Sequence, residues 1–179
     1  MLLPHLSLPG RVPPPETELE VARYEDQSAL LALLAEAIPS CSPETVWQLP
    51  WTWPTYLVLR HPDDGIIAAG ALQQVRDDRL ELRGIVVHPN HRGTGLASRI
   101  VAALVRRAER FEKDLLCVTK SPAFFERFGF VETRLDWLPP QRLAFHKADG
   151  QRRSGMVRRA FPFPLGLPSS IPAPRISTP

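Results

Sequence analysis

The chain is poor in cysteine, methionine and tyrosine, with two of each in 179 residues. Cys41 and Cys117 supply no disulfide framework and stand in no Cys-x-x-Cys or other metal spacing. Cys117 lies inside an apolar run, which predicts a buried thiol in a reducing compartment. No His/Cys/Asp cluster suggests a metal, so no metal is expected. No apolar run is long enough to span a membrane. The first residues, Met1-Leu2-Leu3-Pro4-His5, are interrupted by proline and lack the basic flank of a signal peptide, which makes the cytoplasm the expected location. A dense basic face is missing as well. Arg106-Arg107, Arg152-Arg153 and Arg158-Arg159 are scattered among acids, and the net charge is only +3. Neither nucleic acid nor a membrane is therefore an expected partner. The mild positive balance still suits a small anionic ligand.

Proline is what the chain has in excess. There are 20, and they crowd the two ends, where neither helical nor strand periodicity is present. Three regions are expected: a Pro-rich arm at 1–16, one folded domain at 17–160, and a Pro-rich tail at 161–179. A domain of that size can bury a real core.

Within the domain, Leu19 to Tyr24 alternates as a strand does. Asp26 is a good N-cap for a helix over Gln27–Ala37, with Leu30, Leu33, Leu34 and Ala37 at helical spacing. A short helix is expected after Ser42-Pro43, close to Trp47, Trp51 and Trp53, which read first as packing residues. Tyr56 to Arg60, Ile66 to Val75 and Leu80 to Val87 read as three strands. The turn signals His61-Pro62-Asp63-Asp64-Gly65 and Arg76-Asp77-Asp78 separate them and imply an antiparallel meander. A helix over about Gly93 to Glu112 and a buried strand at Leu115–Val118 follow, which implies a parallel pair through a crossover. The rest reads as a helix from Pro122 to Arg127, a strand at Phe130–Glu132, a helix from about Pro140 to Lys147 and a last strand at Gly155–Arg159. This is a mixed α/β (α+β) chain.

The stretch from Glu81 to Ala97 carries the chemistry. Ile85, Val86 and Val87 end a strand that Pro89 terminates, Arg92-Gly93-Thr94-Gly95 turns, and Leu96 opens a helix. Unpaired N–H groups and the dipole at that helix start favour an anion, the glycines permit close backbone approach, and Arg92 adds a charged donor. A phosphate or pyrophosphate fits; a plain glycine-rich turn before an ordinary helix is the competing reading. The spacing is neither that of a P-loop nor that of the dinucleotide fingerprint.

The stretch resembles the acetyl-CoA signature of the GNAT N-acetyltransferases, Arg-x-x-Gly-x-Gly/Ala, in Arg92, Gly95 and Ala97. The segment Ala123-Phe124-Phe125-Glu126-Arg127-Phe128-Gly129-Phe130 is similar to that family's Phe-Tyr-x-x-x-Gly-Phe helix. The resemblance covers about Leu19 to Val131. It implies the GNAT fold, a mixed, mostly antiparallel splayed sheet flanked by helices, with acetyl-CoA as co-substrate. It further implies cofactor contacts from Ile85, Val86 and Val87, from Arg92, Gly93, Thr94, Gly95, Leu96 and Ala97, and from Phe124 and Phe125. Phe125 departs from the family pattern, in which a tyrosine hydroxyl protonates the leaving thiolate.

One branch shares that departure. Leu116-Cys117-Val118-Thr119-Lys120-Ser121, Asp136-Trp137-Leu138-Pro139-Pro140 and Gln151-Arg152-Arg153-Ser154 resemble the acetyltransferase domain of bacterial N-acetylglutamate synthase. That implies a small-molecule amine as partner, glutamate first, and a place in arginine biosynthesis. The usual synthase has a kinase-like regulatory domain upstream where this chain has a Pro-rich arm. Glu81 is the candidate general base, acting through water, against the reading of an exposed strand glutamate. Lys120 and Arg83 are the candidates for the substrate carboxylates, with Arg127 and Arg153 weaker ones. His88 and His91 read as surface decoration. Transfer to another small-molecule or protein amine, or acyl-CoA binding with little catalysis, are the alternatives, and a homodimer stays open.

Overall fold

A computed structural model describes residues 17–37, 56–140, 142–144, 150 and 152–160. The helix expected after Ser42, the three clustered tryptophans, Cys41, Gln151 and both Pro-rich ends lie outside the described residues.

Among the described residues, seven strands form one sheet: β1 (Glu18–Val21), β2 (Tyr56–His61), β3 (Gly65–Arg76), β4 (Arg79–Val87), β5 (Asp114–Thr119), β6 (Val131–Thr133) and β7 (Ser154–Arg158). Their order is β1-β2-β3-β4-β5-β7-β6. Only β4 and β5 pair in parallel; the other neighbours are antiparallel. Among the described residues, the helices that join them include α1 (Gln27–Ala37), α2 (Leu96–Glu109) and α3 (Pro122–Glu126).

Alternation in the strands explains why helices cover both faces. Leu57 and Leu59 of β2, with Leu80 and Leu82 of β4, join the core beneath α2, where Ile100, Val101 and Leu104 are buried. Tyr56 and Val58 of β2, with Val86 of β4, join a second core beneath α1, with Leu30, Leu33 and Leu34. Successive residues point to opposite faces, so strands apolar at every position need a partner on each side. The start of α1 is fastened to the sheet by Asp26. Its Oδ2 accepts from the Arg23 N–H at 2.7 Å, and both its oxygens accept from Arg60 Nη2 of β2 at 3.0 Å.

The helix expected from Gly93 begins three residues later, at Leu96. Gly95 caps it with φ at +83°, a left-handed conformation that costs glycine nothing and keeps Gly93–Gly95 a loop. Pro140 and 142–144 are helical, as expected there, and the remainder of that expected helix lies outside the described residues.

Two irregularities in β4 position the site. Val86 pairs with Ala69 and Arg83 with Ala71, so Gly84 and Ile85 together stand opposite Gly70 alone, a β-bulge. Gly84 has φ at +61°, and an added Cβ there would lie 2.7 Å from the Tyr56 hydroxyl. The second irregularity is on the other side. β4 pairs with β5 only at Arg79–Asp114, Leu80–Leu115 and Glu81–Leu116. Beyond that the two strands run on without pairing each other, and the sheet opens.

Candidate functional site

A groove of about 490 Å³ lies beside this opening. Ile85, Val86 and Val87 form its floor. Strand alternation says how they can bind. The His88 N–H bonds Ile67 O of β3 at 2.8 Å, so Val87, one residue earlier, turns its N–H and C=O to the open side. The Val87 carbonyl accepts from Arg92 Nε at 3.3 Å, which draws the Arg92 side chain back over the strand end.

His91, Arg92, Gly93 and Gly95 supply the end of the groove, and Leu96, Ala97 and Ser98, the first turn of α2, complete it. N–H groups in that turn have no intrahelical acceptor, which leaves them for an anion. Thr94 does not line the groove. It is buried, and its hydroxyl donates to His91 O at 2.5 Å, so it fastens the loop from inside. Phe124 and Arg127 form the opposite wall. The Arg127 guanidinium lies 5.0 Å from the Phe124 ring centre, held against its aromatic neighbours. Phe125 is not in the wall. It is buried and packs edge-on against Phe124 and Phe130 with centroids 5.0 and 5.6 Å away.

Glu81 stands at the point where the sheet opens and faces away from α2, because Leu80 and Leu82 on either side of it face α2. It is not the exposed strand glutamate of the competing reading: it is 1% exposed. Arg142 clamps it, with Nη1 donating to Oε2 at 2.6 Å and Nη2 to Oε1 at 2.5 Å. Two residues along β4, Arg83 donates to Gln73 Oε1 of β3. Glu81, Arg83, Gln73 and Arg142 thus share the face opposite α2. Lys120 is exposed just past the end of β5. Cys117, in the core on the α2 side, is no nucleophile: burial and then the charge of Glu81 push its thiol well up.

Sequence reasoning missed Arg142, Gln73 and Ser98, and it placed His91 on the surface. His91 instead lines the groove, and its side chain is 15% exposed. Its partner Asp64, 27 residues away, could not be paired with it by any local signal. No group of His, Cys, Asp and Glu suited to a metal occurs among the described residues. No described helix is long and apolar enough to cross a membrane.

Residues 53–132 match the family model for the acetyltransferase (GNAT) domain. Over these residues the chain is similar to a GNAT acetyltransferase domain. The sheet that opens between β4 and β5 is the splayed, mostly antiparallel sheet the sequence resemblance implied. No curated protein matches the chain by sequence. Among solved structures, the chain is similar to N-acetylglutamate synthase from Neisseria gonorrhoeae complexed with coenzyme A and N-acetyl-glutamate, at 21% identity and TM-score 0.67. That match covers 82% of this chain but 36% of the synthase, so the chain spans little more than a third of that protein's length. A Mycobacterium tuberculosis protein in complex with CoA and NLQ matches at 22% identity and TM-score 0.67, over 78% of this chain and 97% of its own. A GNAT-family acetyltransferase from Staphylococcus aureus matches at 11% identity and TM-score 0.64, over 80% of this chain and 98% of its own. At such identities these likenesses speak for the fold.

Proposed function

We propose that the domain transfers the acetyl group of acetyl-CoA to the amine of a small amino acid, with L-glutamate the first candidate. The observation that carries this reading is the opening past Glu81 and Leu116. A phosphate-suited groove lies along β4 on the side of α2, and a polar, cation-rich group lies on the other face of the same strand. A thioester laid along Ile85–Val87 would meet an acceptor arriving from the side of Glu81, Arg83 and Arg142.

The step is aminolysis. The amine nitrogen attacks the thioester carbonyl carbon, a C–N bond forms, the C–S bond breaks and CoA leaves as thiolate. N–H groups along Ile85–Val87 hold the pantetheine arm and stabilise the carbonyl oxygen as charge builds on it. Arg92 to Ala97 hold the pyrophosphate. The amine's proton passes through water to Glu81, the general base in this reading. Arg142 occupies one acceptor site on each Glu81 oxygen, and each oxygen keeps another for water. Phe125 offers no proton, and the step does not require one from it, because a thiol with an ordinary pKa of about 8.5 leaves as an anion far more readily than an alkoxide.

A glutamate acceptor brings two carboxylates. Lys120, Arg83 and Arg142 are the cations this reading assigns to them, and guanidinium groups match carboxylates in bidentate geometry. The synthase from Neisseria gonorrhoeae, solved with N-acetyl-glutamate, supports that choice of acceptor. Cytoplasmic arginine biosynthesis is the role that goes with it, and the folded unit is 17–160.

CoA release with each common amino acid in turn tests the reading. Saturable turnover with glutamate alone supports it, and Lys120→Met then raises KM for glutamate while KM for acetyl-CoA stays put. Turnover only with a different amine removes the glutamate assignment. CoA binding without turnover on any amine removes catalysis and makes Phe125 the central fact.

A further inference from the structure

Three histidines meet at the phosphate end of the groove. The ring of His91 lies 5.7 Å from that of His61 and 5.8 Å from that of His88. Two of them are committed to the backbone. His61 Nδ1 accepts the N–H groups of Asp63 and Asp64 at 3.3 and 3.4 Å, and His88 Nδ1 accepts the Asn90 N–H at 3.3 Å. Their Nδ1 atoms are thus taken up as acceptors and have no N–H to offer a ligand.

His91 differs. Its Nε2 lies 2.8 Å from Asp64 Oδ2, and among the described residues its other ring nitrogen makes no hydrogen bond. The carboxylate comes from the turn between β2 and β3 and is itself half open to solvent. It requires a proton on Nε2, since a carboxylate only accepts. A phosphate oxygen at the groove would require a second proton, on Nδ1. Only the imidazolium satisfies both.

We propose that His91, held by Asp64, is a side-chain ligand for the cofactor's phosphates, and that CoA therefore binds with uptake of a proton. This rests on the acetyl-CoA reading above and extends it. The surrounding charges are arranged for it. Asp64 faces the ring from the β2–β3 turn. Arg92 stands next in sequence, drawn back to the Val87 carbonyl, and Arg127 faces from the opposite wall. Glu36 of α1 lies 3.9 Å from His88 Nε2 and 3.6 Å separates His61 Nδ1 from Asp64 Oδ2, so both neighbouring rings are also close to an acid. A bound phosphate adds an anionic acceptor for the second ring nitrogen, which the Asp64 carboxylate on Nε2 does not supply. Free and bound protein then hold different numbers of protons, which is what couples affinity to pH.

Calorimetric titration of the full chain with CoA, and with pantetheine, which has the thiol arm but no phosphate, separates the possibilities. Run in two buffers of different ionisation heat, it counts protons directly. The proposal expects uptake with CoA and none with pantetheine. It expects CoA affinity to fall as pH rises from about 6 to about 8.5, across the ordinary histidine range. His91→Gln lowers CoA affinity about tenfold near pH 6.5, on the order of one charge-assisted hydrogen bond, abolishes the uptake and leaves pantetheine alone. Asp64→Asn, in an exposed turn, does the same in part, while His61→Gln keeps the uptake. Unchanged CoA affinity and unchanged proton count in His91→Gln would overturn the proposal with the acetyl-CoA reading intact. Failure of the wild-type chain to bind CoA at any pH is the separate result that removes that reading, and this one with it.

Discussion

Gly84 is the residue on which the cofactor floor depends. Its φ of +61° disfavours any side chain, and the Tyr56 hydroxyl occupies the place a Cβ would take. Gly84→Ala is expected to cost about 1–3 kcal/mol in chemical denaturation and to weaken CoA binding more than a comparable change elsewhere in the core. Adding Tyr56→Phe removes the 2.7 Å oxygen contact but not the backbone strain, so the double variant recovers part of the loss. Glu81 and Arg142 form a second dependence between single residues. Arg142→Met leaves a carboxylate that is 1% exposed without its guanidinium. Stranding a buried charge costs about 3–5 kcal/mol, and a denaturation curve will show it. Replacing both residues by leucine is expected to cost less than Arg142→Met alone, because no charge is then left behind.

Among the elements, the corner between β1 and α1 carries the clearest pH dependence. Burial pushes the Asp26 carboxyl up, but the Arg23 N–H and the Arg60 guanidinium outweigh burial and hold it below its ordinary value. A carboxyl depressed by folding stabilises the protein above the unfolded value of about 3.9 and loses that contribution as pH falls through the folded value. Stability should therefore drop on acidification below about pH 4, and Asp26→Asn should flatten that drop while lowering stability at neutral pH by about 1–3 kcal/mol. The same elements show what could be read beforehand. The strand, turn and helix from Leu82 to Ala108 announce themselves because a β-branched run, Pro89 and helical spacing are local signals. The opening after Glu81 does not, because it depends on where a strand 35 residues away stops pairing. Glu81 invited an exposed reading because its neighbours Leu80 and Leu82 face one core. Its cover comes from Arg142, 61 residues along the chain. The bulge was likewise hidden, since Gly84 looks like one more residue of an apolar strand until the Tyr56 ring is seen against it.

For the molecule as a whole, the folded unit proposed is 17–160. A chain trimmed to those residues is expected to keep its thermal midpoint and its CoA affinity; a trimmed chain that aggregates or loses CoA binding would give the Pro-rich ends a part in the fold. Thr17 belongs inside the cut, because Arg99 of α2 donates to its carbonyl at 3.1 Å and so ties the chain entry to the first turn of that helix. Ionic strength is a second global probe. If phosphates supply much of the affinity, CoA binding should weaken severalfold between low and about 0.5 M salt, while pantetheine binding barely responds.

Three consecutive residue pairs are all the ladder that joins the β1–β4 part of the sheet to the β5–β7 part. In mechanical terms this is a seam left partly unsewn. A ligand lying in it touches strand floor and α2 on one side and Phe124 and Arg127 on the other, so it acts as a stitch between two panels. Amides of Leu115 and Leu116, in the paired part of the seam, should then exchange with solvent more slowly once CoA is bound. Occupancy of the groove would be felt across the sheet as resistance to parting.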